Sequence, residues 1–312
     1  MDPARRLHLI GAACAVIAAA LFATKAVAIR WAFAHGADAT ALVAIRMGLA
    51  LPGFILAAWW LGRGQTAIGR RDLGLIVLCG IIGYHAASWL DTLGLRTISA
   101  ALERIVLFSY PTLVVWFSAL RQRRMPTPQL LGAVLVTWIG IMVSCLDQPI
   151  ASAAGVGIAL VAAAAVLFAG QQVFIEPLMR AHGGARVAAL AMCGSCPGVL
   201  LHGWVQVPAA VWAQQSSTIW LVGAYLGFIG TIVPVLLAGI ATARLGAGPA
   251  AVIGSIGPGV TVLGAWAVLG EVPGAWAWIG FAITIAGGLW VALAPRAPAL
   301  SASPVRSGSR VV

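Results

Sequence analysis

The sequence predicts an all-α membrane protein with ten transmembrane helices, and three observations lead to that fold class. Apolar residues make up 61% of the 312-residue chain and charged residues only 9%, whereas soluble proteins carry about 25% charged residues. The mean hydropathy is +0.99. The apolar residues form long blocks between short segments of Arg, Pro and Gly. This composition excludes a soluble globular enzyme, because so much apolar surface could not be buried, and it excludes a disordered chain.

The first apolar block begins at Leu9, behind Arg5 and Arg6, and runs to about Phe33. It is too long for the apolar region of a signal peptide and ends without a cleavage site, so we expect it to remain as the first helix. Breaks at polar, Pro and Gly clusters divide the rest into segments that can cross a bilayer. The ten expected helices are 9–33, 39–61, 73–95, 98–120, 128–146, 155–178, 186–206, 218–241, 248–269 and 275–294.

Basic residues in the short loops set the expected orientation. With the N-terminus in the cytoplasm, fourteen Arg residues fall on the cytoplasmic side, and only Arg30 and Arg96 lie near the outer interface. Both termini are therefore expected in the cytoplasm, with 295–312 as a flexible tail, and the chain in a bacterial-type inner membrane. The net charge of +11 fits this asymmetry and requires no nucleic-acid partner. The fourteen residues are Arg5, Arg6, Arg63, Arg70, Arg71, Arg121, Arg123, Arg124, Arg180, Arg186, Arg244, Arg296, Arg306 and Arg310.

The two halves of the chain repeat each other at an offset of 145 to 148 residues. The repeat predicts two five-helix domains, 9–146 and 155–294. Because five is an odd number, the second copy is expected to insert upside down, which is typical of secondary transporters. The matched elements are Leu21-Phe22-Ala23 with Leu167-Phe168-Ala169, Pro52-Gly53 with Pro197-Gly198, Gly80-x-x-Gly83 with Gly227-x-x-Gly230, Pro111 with Pro258, and Gly132 and Gly140 with Gly280 and Gly288.

One motif runs through the end of each half. Ser109-Tyr110-Pro111-Thr112 leads to Pro126-Thr127-Pro128-Gln129, and Gly257-Pro258-Gly259 leads to Leu269-Gly270-Glu271. A helix proline, a Gly-Glu turn and a Gly about nine residues later resemble the drug/metabolite transporter superfamily, with its paired EamA-type domains. The first half departs from that pattern, because Arg123 and Arg124 stand where Glu is usual. The resemblance implies a carrier for amino acids, sugar phosphates, nucleotide sugars or other metabolites, commonly an exporter, with helices 1, 3, 4, 6, 8 and 9 lining its cavity.

Five charged residues lie inside the expected spans of the first half, all in the outer half of the membrane: Lys25, Arg46, Asp91, Glu103 and Arg104. Such charges cost about 2.5 to 3.5 kcal/mol each on insertion scales, so they are candidate substrate-binding or coupling residues. One interpretation is a site for an anionic or zwitterionic group, with Lys25 facing a titratable Glu103. The alternatives are static ion pairs that hold the helices together, or snorkelling of Asp91 and Arg104 to the outer interface.

The second half carries neutral residues at the matching positions. Gln171 stands where Lys25 stands in the first half, and two alanines match Glu103 and Arg104. Gln171 and Thr231 are hydrogen-bonding candidates for the site. The alternative for each is helix–helix packing or a bond to its own backbone.

His85 lies near the midplane of the third helix, with Trp89 one turn later. We consider His85 either a hydrogen-bonded structural residue or a proton carrier or ligand contact in a midplane cavity. No second His or carboxylate has ligand spacing to it, so we expect no metal site. Pro111 and Pro258 interrupt helices near their centres at matching places, and we expect them to line or hinge the cavity.

No H-E-x-x-H, G-x-S-x-G or Walker motif occurs in the chain, so we expect neither an enzyme nor a cofactor. The sequence predicts a secondary transporter, a permease that exports a small metabolite such as an amino acid or a related anionic or zwitterionic compound by alternating access. The expected partners are that substrate and the lipid bilayer, and a homodimer is left open. The alternatives are a drug or lipid-linked exporter of the same fold, or, from another class, a non-catalytic membrane assembly factor.

Overall fold

The computed structural model describes residues 3–94, 106–107, 109–144, 146, 155–270 and 274–293, and these residues form helices joined by short turns, without a strand among them. An α-helix satisfies its own backbone hydrogen bonds, as a chain in lipid requires. The elements are α1 (Pro3–Ala34), α2 (Ala39–Gly62), α3 (Arg70–Gly80), the π-helical segment π1 (Ile81–Ala86), α4 (Ala87–Gly94), α5 (Tyr110–Gln122), α6 (Pro128–Ser144), α7 (Gly155–His182), α8 (Gly184–Gln206), α9 (Ala209–Gln214), α10 (Ser217–Gly227), the π-helical segment π2 (Phe228–Ile232), α11 (Val233–Leu245), α12 (Ala247–Gly254), α13 (Gly257–Leu269) and α14 (Ala275–Leu293).

In the described part of the chain, six helices are long and apolar enough to cross a membrane. Two shorter apolar helices, Pro128–Val143 and Ala275–Val291, lie where the fifth and tenth spans are expected. Of the expected span 98–120 the structure describes residues 106–107, which are helical, and residues from 109 on, which include the start of α5. The expected span 248–269 is divided into α12 and α13. The six long helices are Arg5–Ala34, Ala39–Gly62, Arg70–Asp91, Gly155–His182, Gly184–Gln206 and Ser217–Leu245.

The two Gly-x-x-Gly motifs mark a change of helical winding. The segment π1 begins directly after Gly80, and π2 begins directly after Gly227. The second glycine of each motif, Gly83 or Gly230, lies inside the π-helical segment. Such segments are rare and are frequently found at functional sites. The repeated glycines therefore place the same irregularity in both halves.

The helix pairs are related by the internal repeat: when each helix is exchanged for its counterpart in the other half, one packed pair becomes another packed pair. Helix α1 packs along α11, and α7 packs along α4. Helix α2 packs on α10, and α8 packs on α3. The pairs α2 with α8 and α6 with α14 map onto themselves. The largest buried apolar cluster lies where α2, α3, α8 and α11 meet, around Phe54, Ile76 and Met192.

Individual backbone contacts repeat in the same way. A Cβ added at Gly227 would lie 3.1 Å from the carbonyl oxygen of Arg46, and a Cβ at Gly80 would collide with the carbonyl oxygen of Ala191. Glycine lets helix backbones approach closely inside a membrane, where packing contacts hold helices together. Arg46 and Ala191 thus occupy equivalent positions in the repeated helix packing of the two halves, which we call the frame. The side chain is a charged guanidinium at one position and a methyl group at the other.

Candidate functional site

Lys25 lies half-buried on α1, directly over the segment π2. Its Cβ is 3.5 Å from the position that a Cβ on Gly230 would occupy, an ordinary van der Waals distance, so Lys25 packs directly on Gly230. Its Nζ is 5.8 Å from the centroid of the Phe22 ring, within the range of a cation–π contact. The second half of the chain thus supplies the surface on which this charge of the first half lies.

Gln171 lies on α7 and makes the equivalent contact with the segment π1. Its Cδ is 2.7 Å from the position of a Cβ on Gly83, which only a glycine allows. The side chain is 3% exposed, and neither its amide oxygen nor its amide nitrogen has a hydrogen-bond partner among the described residues. The Tyr84 phenol is close to the amide but is not in hydrogen-bond geometry with it. An unsatisfied buried amide is costly, so both polar atoms of Gln171 lack partners that such a group normally has.

Three aromatic rings contact one another and join π1, α5 and α7. The Phe168 ring, one turn before Gln171, meets the Tyr84 ring edge-on at 6.4 Å between centroids and the Tyr110 ring edge-on at 5.1 Å. The Tyr110 hydroxyl is 3.2 Å from the position of a Cβ on Gly254 of α12. Phe168 and Tyr110 were not among the residues predicted for the site. The sequence signal that could have identified Phe168 is its place in the repeated Leu-Phe-Ala motif.

Pro111 and Pro258 each lie at the start of a helix that begins inside an expected span, and whether they line or hinge a cavity stays a prediction. Helix α5 begins at Tyr110 with Pro111, which is buried, as its second residue, and α13 begins at Gly257 with Pro258 as its second residue. Proline is favoured there because its missing N–H has no partner within the first turn of a helix. The two prolines still lie at matching positions, and Pro111 is adjacent to Tyr110.

His85 is brought together with Trp89 and with a residue that the sequence did not point to, His202 of α8. The His85 and His202 rings are 6.2 Å apart between centroids, and the Trp89 ring meets the His202 ring edge-on. His85 Cε1 is 2.6 Å from the position of a Cβ on Gly198, so glycine is needed there. The two histidines are far apart in sequence, so ligand spacing along the chain could not reveal the pair. Among the described residues, no group of three or more His, Cys, Asp or Glu side chains is placed to hold a metal ion.

Arg46 lies on α2, where this helix packs against α8 and α10. It is 7% exposed, and its backbone packs on Gly227. The Cys196 thiol of α8 is the titratable group nearby. Asp91 lies half-buried in α4. Glu103 and Arg104 lie outside the described residues, so the expected contact between Lys25 and Glu103 stays a prediction.

Thr231 does not offer its hydroxyl to a ligand. The hydroxyl donates to the carbonyl oxygen of Leu226 at 2.8 Å, within its own helix, and the side chain is 4% exposed. A π-helical turn leaves carbonyl groups without their usual i+4 donor, and a threonine can supply one. Thr231 therefore follows the backbone-bonding alternative, and we leave it out of the site.

Three contacts join the two halves at the basic end of the bundle, the end where α2, α5 and α7 finish and α3 and α8 begin. His182 Nε2 is 2.9 Å from Asp72 Oδ2, and Arg186 donates to the carbonyl oxygen of Thr66 at 3.1 Å. Arg121 donates to the carbonyl oxygen of Val173. That carbonyl is free because residue 177, four positions on, is a proline without an N–H.

Glu176 also lies at the basic end, where two groups of the protein bind its carboxylate. It forms an ion pair with Arg180 at 2.8 Å and accepts a hydrogen bond from the backbone N–H of Ala247 at 3.2 Å. Ala247 is the first residue of α12, so this carboxylate caps a helix N-terminus. The charge of Glu176 is therefore satisfied by the fold.

Comparison with known proteins gives one consistent result. The model of the EamA-like transporter family matches residues 9–146 and again residues 155–293. The uncharacterized transporter YcbK of Bacillus subtilis (strain 168) is 29% identical over 270 residues, which are 84% of each chain. A probable terminal-alkyne amino-acid exporter of Streptantibioticus cattleyicolor is 27% identical over 271 residues, 80% of this chain and 87% of that one. A solved crystal structure with 18% identity covers 91% of this chain and 98% of its own with a TM-score of 0.74, so the two share a fold.

Proposed function

The chain belongs to the EamA-like transporter family, and from this premise we propose that it exports a small anionic or zwitterionic metabolite by alternating access. As a member of this family it is a multi-pass membrane protein with a small-molecule substrate. The amino-acid exporter among its relatives makes an amino acid or a related compound the substrate class that we favour.

The proposed topology has ten spans in two inverted five-helix repeats, 9–146 and 155–294, in the inner membrane. The exchanged helix pairs and the matched segments π1 and π2 support an internal two-fold relation. The arginines at the basic end support placing that end in the cytoplasm. Reporter fusions after Arg296 and within 121–124 should report the cytoplasm, and fusions near Asp147 and Ala210 should report the outside. A C-terminus on the outer side would contradict this topology.

The observation that carries the proposal is the matched placement of Lys25 and Gln171. Each polar side chain lies on the second glycine of a π-helical segment that belongs to the other half. The ammonium group can bind a carboxylate, and the unsatisfied amide of Gln171 can both donate and accept a hydrogen bond. The aromatic rings of Tyr84, Phe168 and Tyr110 offer an apolar surface beside that amide.

Alternating access needs contacts between the halves that open and close. The contacts of Asp72 with His182, Thr66 with Arg186, and Val173 with Arg121 all cross between the halves at the basic end. We interpret this arrangement as a conformation closed toward the cytoplasm. Each contact involves a charged group that water could solvate after separation, so the end can open without leaving an unsatisfied buried group.

The substrate is tested by comparing metabolites in the spent medium of a deletion strain, an overexpressing strain and a strain overexpressing Gln171→Leu. The proposal predicts an anionic or zwitterionic metabolite that accumulates outside only with the wild-type protein. Purified protein in proteoliposomes should then exchange that compound across the membrane. A neutral apolar drug or a lipid-linked compound as the accumulating species would contradict the proposed substrate class.

A further inference from the structure

A buried positive charge outside the proposed site has no counter-charge among the described residues. Arg46 is 7% exposed, and its Nε is sealed from solvent without a hydrogen-bond acceptor. The only charge interaction found for the Arg46 guanidinium among the described residues is with the Cys196 thiol. Guanidinium carries five N–H donors and stays protonated in proteins, so this charge cannot be removed by titration.

The neighbours of Arg46 do not explain its charge. Its backbone packs on Gly223 and Gly227 of α10, and the titratable group near its side chain is the Cys196 thiol. A thiol is a weak acceptor and a poor partner for a guanidinium. Ser195, next to Cys196 in α8, is fully buried and its hydroxyl also has no hydrogen-bond partner among the described residues. Neither polar group therefore has a hydrogen-bond partner there among the described residues, and the guanidinium has no anionic neighbour among them.

The equivalent position in the other half shows whether helix packing requires an arginine at residue 46. Arg46 places its carbonyl oxygen against Gly227 in the way that Ala191 places its carbonyl oxygen against Gly80. The same backbone contact is therefore made with a methyl side chain in the other half. The frame does not need a guanidinium at this position, and an uncompensated charge within a membrane is expensive.

We propose that Arg46 is the core of an anion-binding site that takes a small monovalent anion, either chloride or the carboxylate of a transported molecule. The bound anion neutralises the guanidinium and accepts hydrogen bonds from its N–H groups. The site lies on α2, α8 and α10, whereas Lys25 and Gln171 are carried by α1 and α7. The proposal rests on the burial of Arg46 in a membrane protein and does not depend on the substrate proposed above.

The test measures thermal unfolding of the purified full-length protein by tryptophan fluorescence at constant ionic strength. Isethionate, a bulky anion, is replaced stepwise by chloride in one series and by acetate in another. Because a ligand that binds only the folded state stabilises it by mass action, at least one series should raise Tm by about 3 °C or more. A response to chloride alone assigns the site to the inorganic ion, and a response to acetate assigns it to carboxylates.

Two variants decide whether Arg46 is responsible. Arg46→Gln should abolish the shift, while Arg124→Gln, which removes an exposed arginine, should keep it. No shift in the wild-type protein, or an equal shift in Arg46→Gln, would overturn the proposal. If Arg46→Gln does not fold, Arg46→Lys keeps the charge but loses the planar fork, and its anion affinity should fall about tenfold or more. Unchanged affinity in that variant would also overturn the proposal. Since no transport is measured, failure here is separate from failure of the proposed function.

Discussion

In the first half of the chain, the residue that lies over the π-helical glycine of the other half is a lysine, and in the second half it is a glutamine. The same difference recurs elsewhere. His85 fills the space over Gly198, and Ile232 fills the equivalent space over Gly53. The glycines are the same in both halves because the close approach requires them, whereas the side chains placed on them differ. At these two pairs of positions the ionisable side chains, Lys25 and His85, both belong to the first half, and the second half forms the same contacts with an amide and an aliphatic residue.

Comparing the two halves separates residues that the helix packing requires from residues that it does not require. Residues that appear in both halves, such as Gly80 and Gly227, are explained by packing. Polar residues that appear in only one half, such as Lys25 and His85, are not required by the frame. We infer that they serve the transported molecule or the ions that accompany it.

The largest effect is expected from Lys25→Ala. Loss of a hydrogen bond to a charged group costs about 1.5 to 3 kcal/mol, so transport should fall about 10- to 100-fold while the protein accumulates normally. Transport of a radiolabelled substrate by membrane vesicles, with protein quantified by immunoblot, measures both quantities.

The control for Lys25 is the double variant Lys25→Ala with Glu103→Ala. If the two residues only form a static ion pair, the single variant should lower the protein level and the double variant should restore both level and transport. That recovery would contradict a role of Lys25 in the site. Continued loss of transport in a well-expressed double variant would support it.

A somewhat smaller effect is expected from Gly83→Ala. The added methyl group would lie against the side chain of Gln171, and such overpacking typically costs about 1 to 3 kcal/mol. We expect a lower Tm and a loss of transport, because the amide of Gln171 is displaced.

The double variant Gly83→Ala with Gln171→Ala sharpens this test, since it removes the collision. Its Tm should recover relative to Gly83→Ala, but its transport should not. Recovery of both would show that the amide of Gln171 contributes only packing.

A few-fold effect is expected at the basic end from Arg121→Gln. This change removes the charge and shortens the side chain, so its amide no longer reaches the carbonyl oxygen of Val173, and it should favour the conformation open to the cytoplasm. The effect is measured as the rate at which a membrane-impermeant thiol reagent, added from the cytoplasmic side, modifies a cysteine introduced at Phe168.

Pro177→Ala provides the partner for a double-variant cycle with Arg121→Gln. Alanine restores the N–H that can bond the carbonyl oxygen of Val173 within α7, so Arg121→Gln should have less effect in that background. An undiminished effect would mean that Arg121 does not act through this carbonyl.

The smallest effect is expected from Thr231→Val. Its hydroxyl bonds the backbone of its own helix, and hydrogen bonds of side chains in membrane helices average about 0.6 kcal/mol. Transport should stay within about twofold of the wild-type rate. A larger loss would return Thr231 to the site.

The sequence predicted the helical class, the family and the internal repeat, because hydropathy and repeated Gly and Pro positions report on backbone packing directly. The change to π winding after Gly80 and Gly227 was not predicted. Gly-x-x-Gly is equally compatible with a regular helix, and the winding depends on what packs against it.

The candidate site could be predicted only in part. Gln171 was found because the repeat aligns it with Lys25, and the structure adds that its amide has no hydrogen-bond partner among the described residues. The pairing of His85 with His202 joins helices that are distant in sequence, so no spacing pattern could suggest it. Bonding of Thr231 to its own backbone was one of the two alternatives predicted for it, but the acceptor, the carbonyl oxygen of Leu226, could be identified only from the fold.

The most direct test of the central claim compares Gln171→Leu with Thr231→Val in proteoliposomes loaded with the substrate found by metabolite analysis. Both residues are buried polar side chains in membrane helices, 3% and 4% exposed, and they differ in whether the fold already satisfies them. The account predicts that Gln171→Leu folds but loses most substrate exchange, while Thr231→Val exchanges substrate at nearly the wild-type rate. Wild-type exchange by folded Gln171→Leu would contradict the claim that the polar residues placed on the two-fold frame bind the transported molecule.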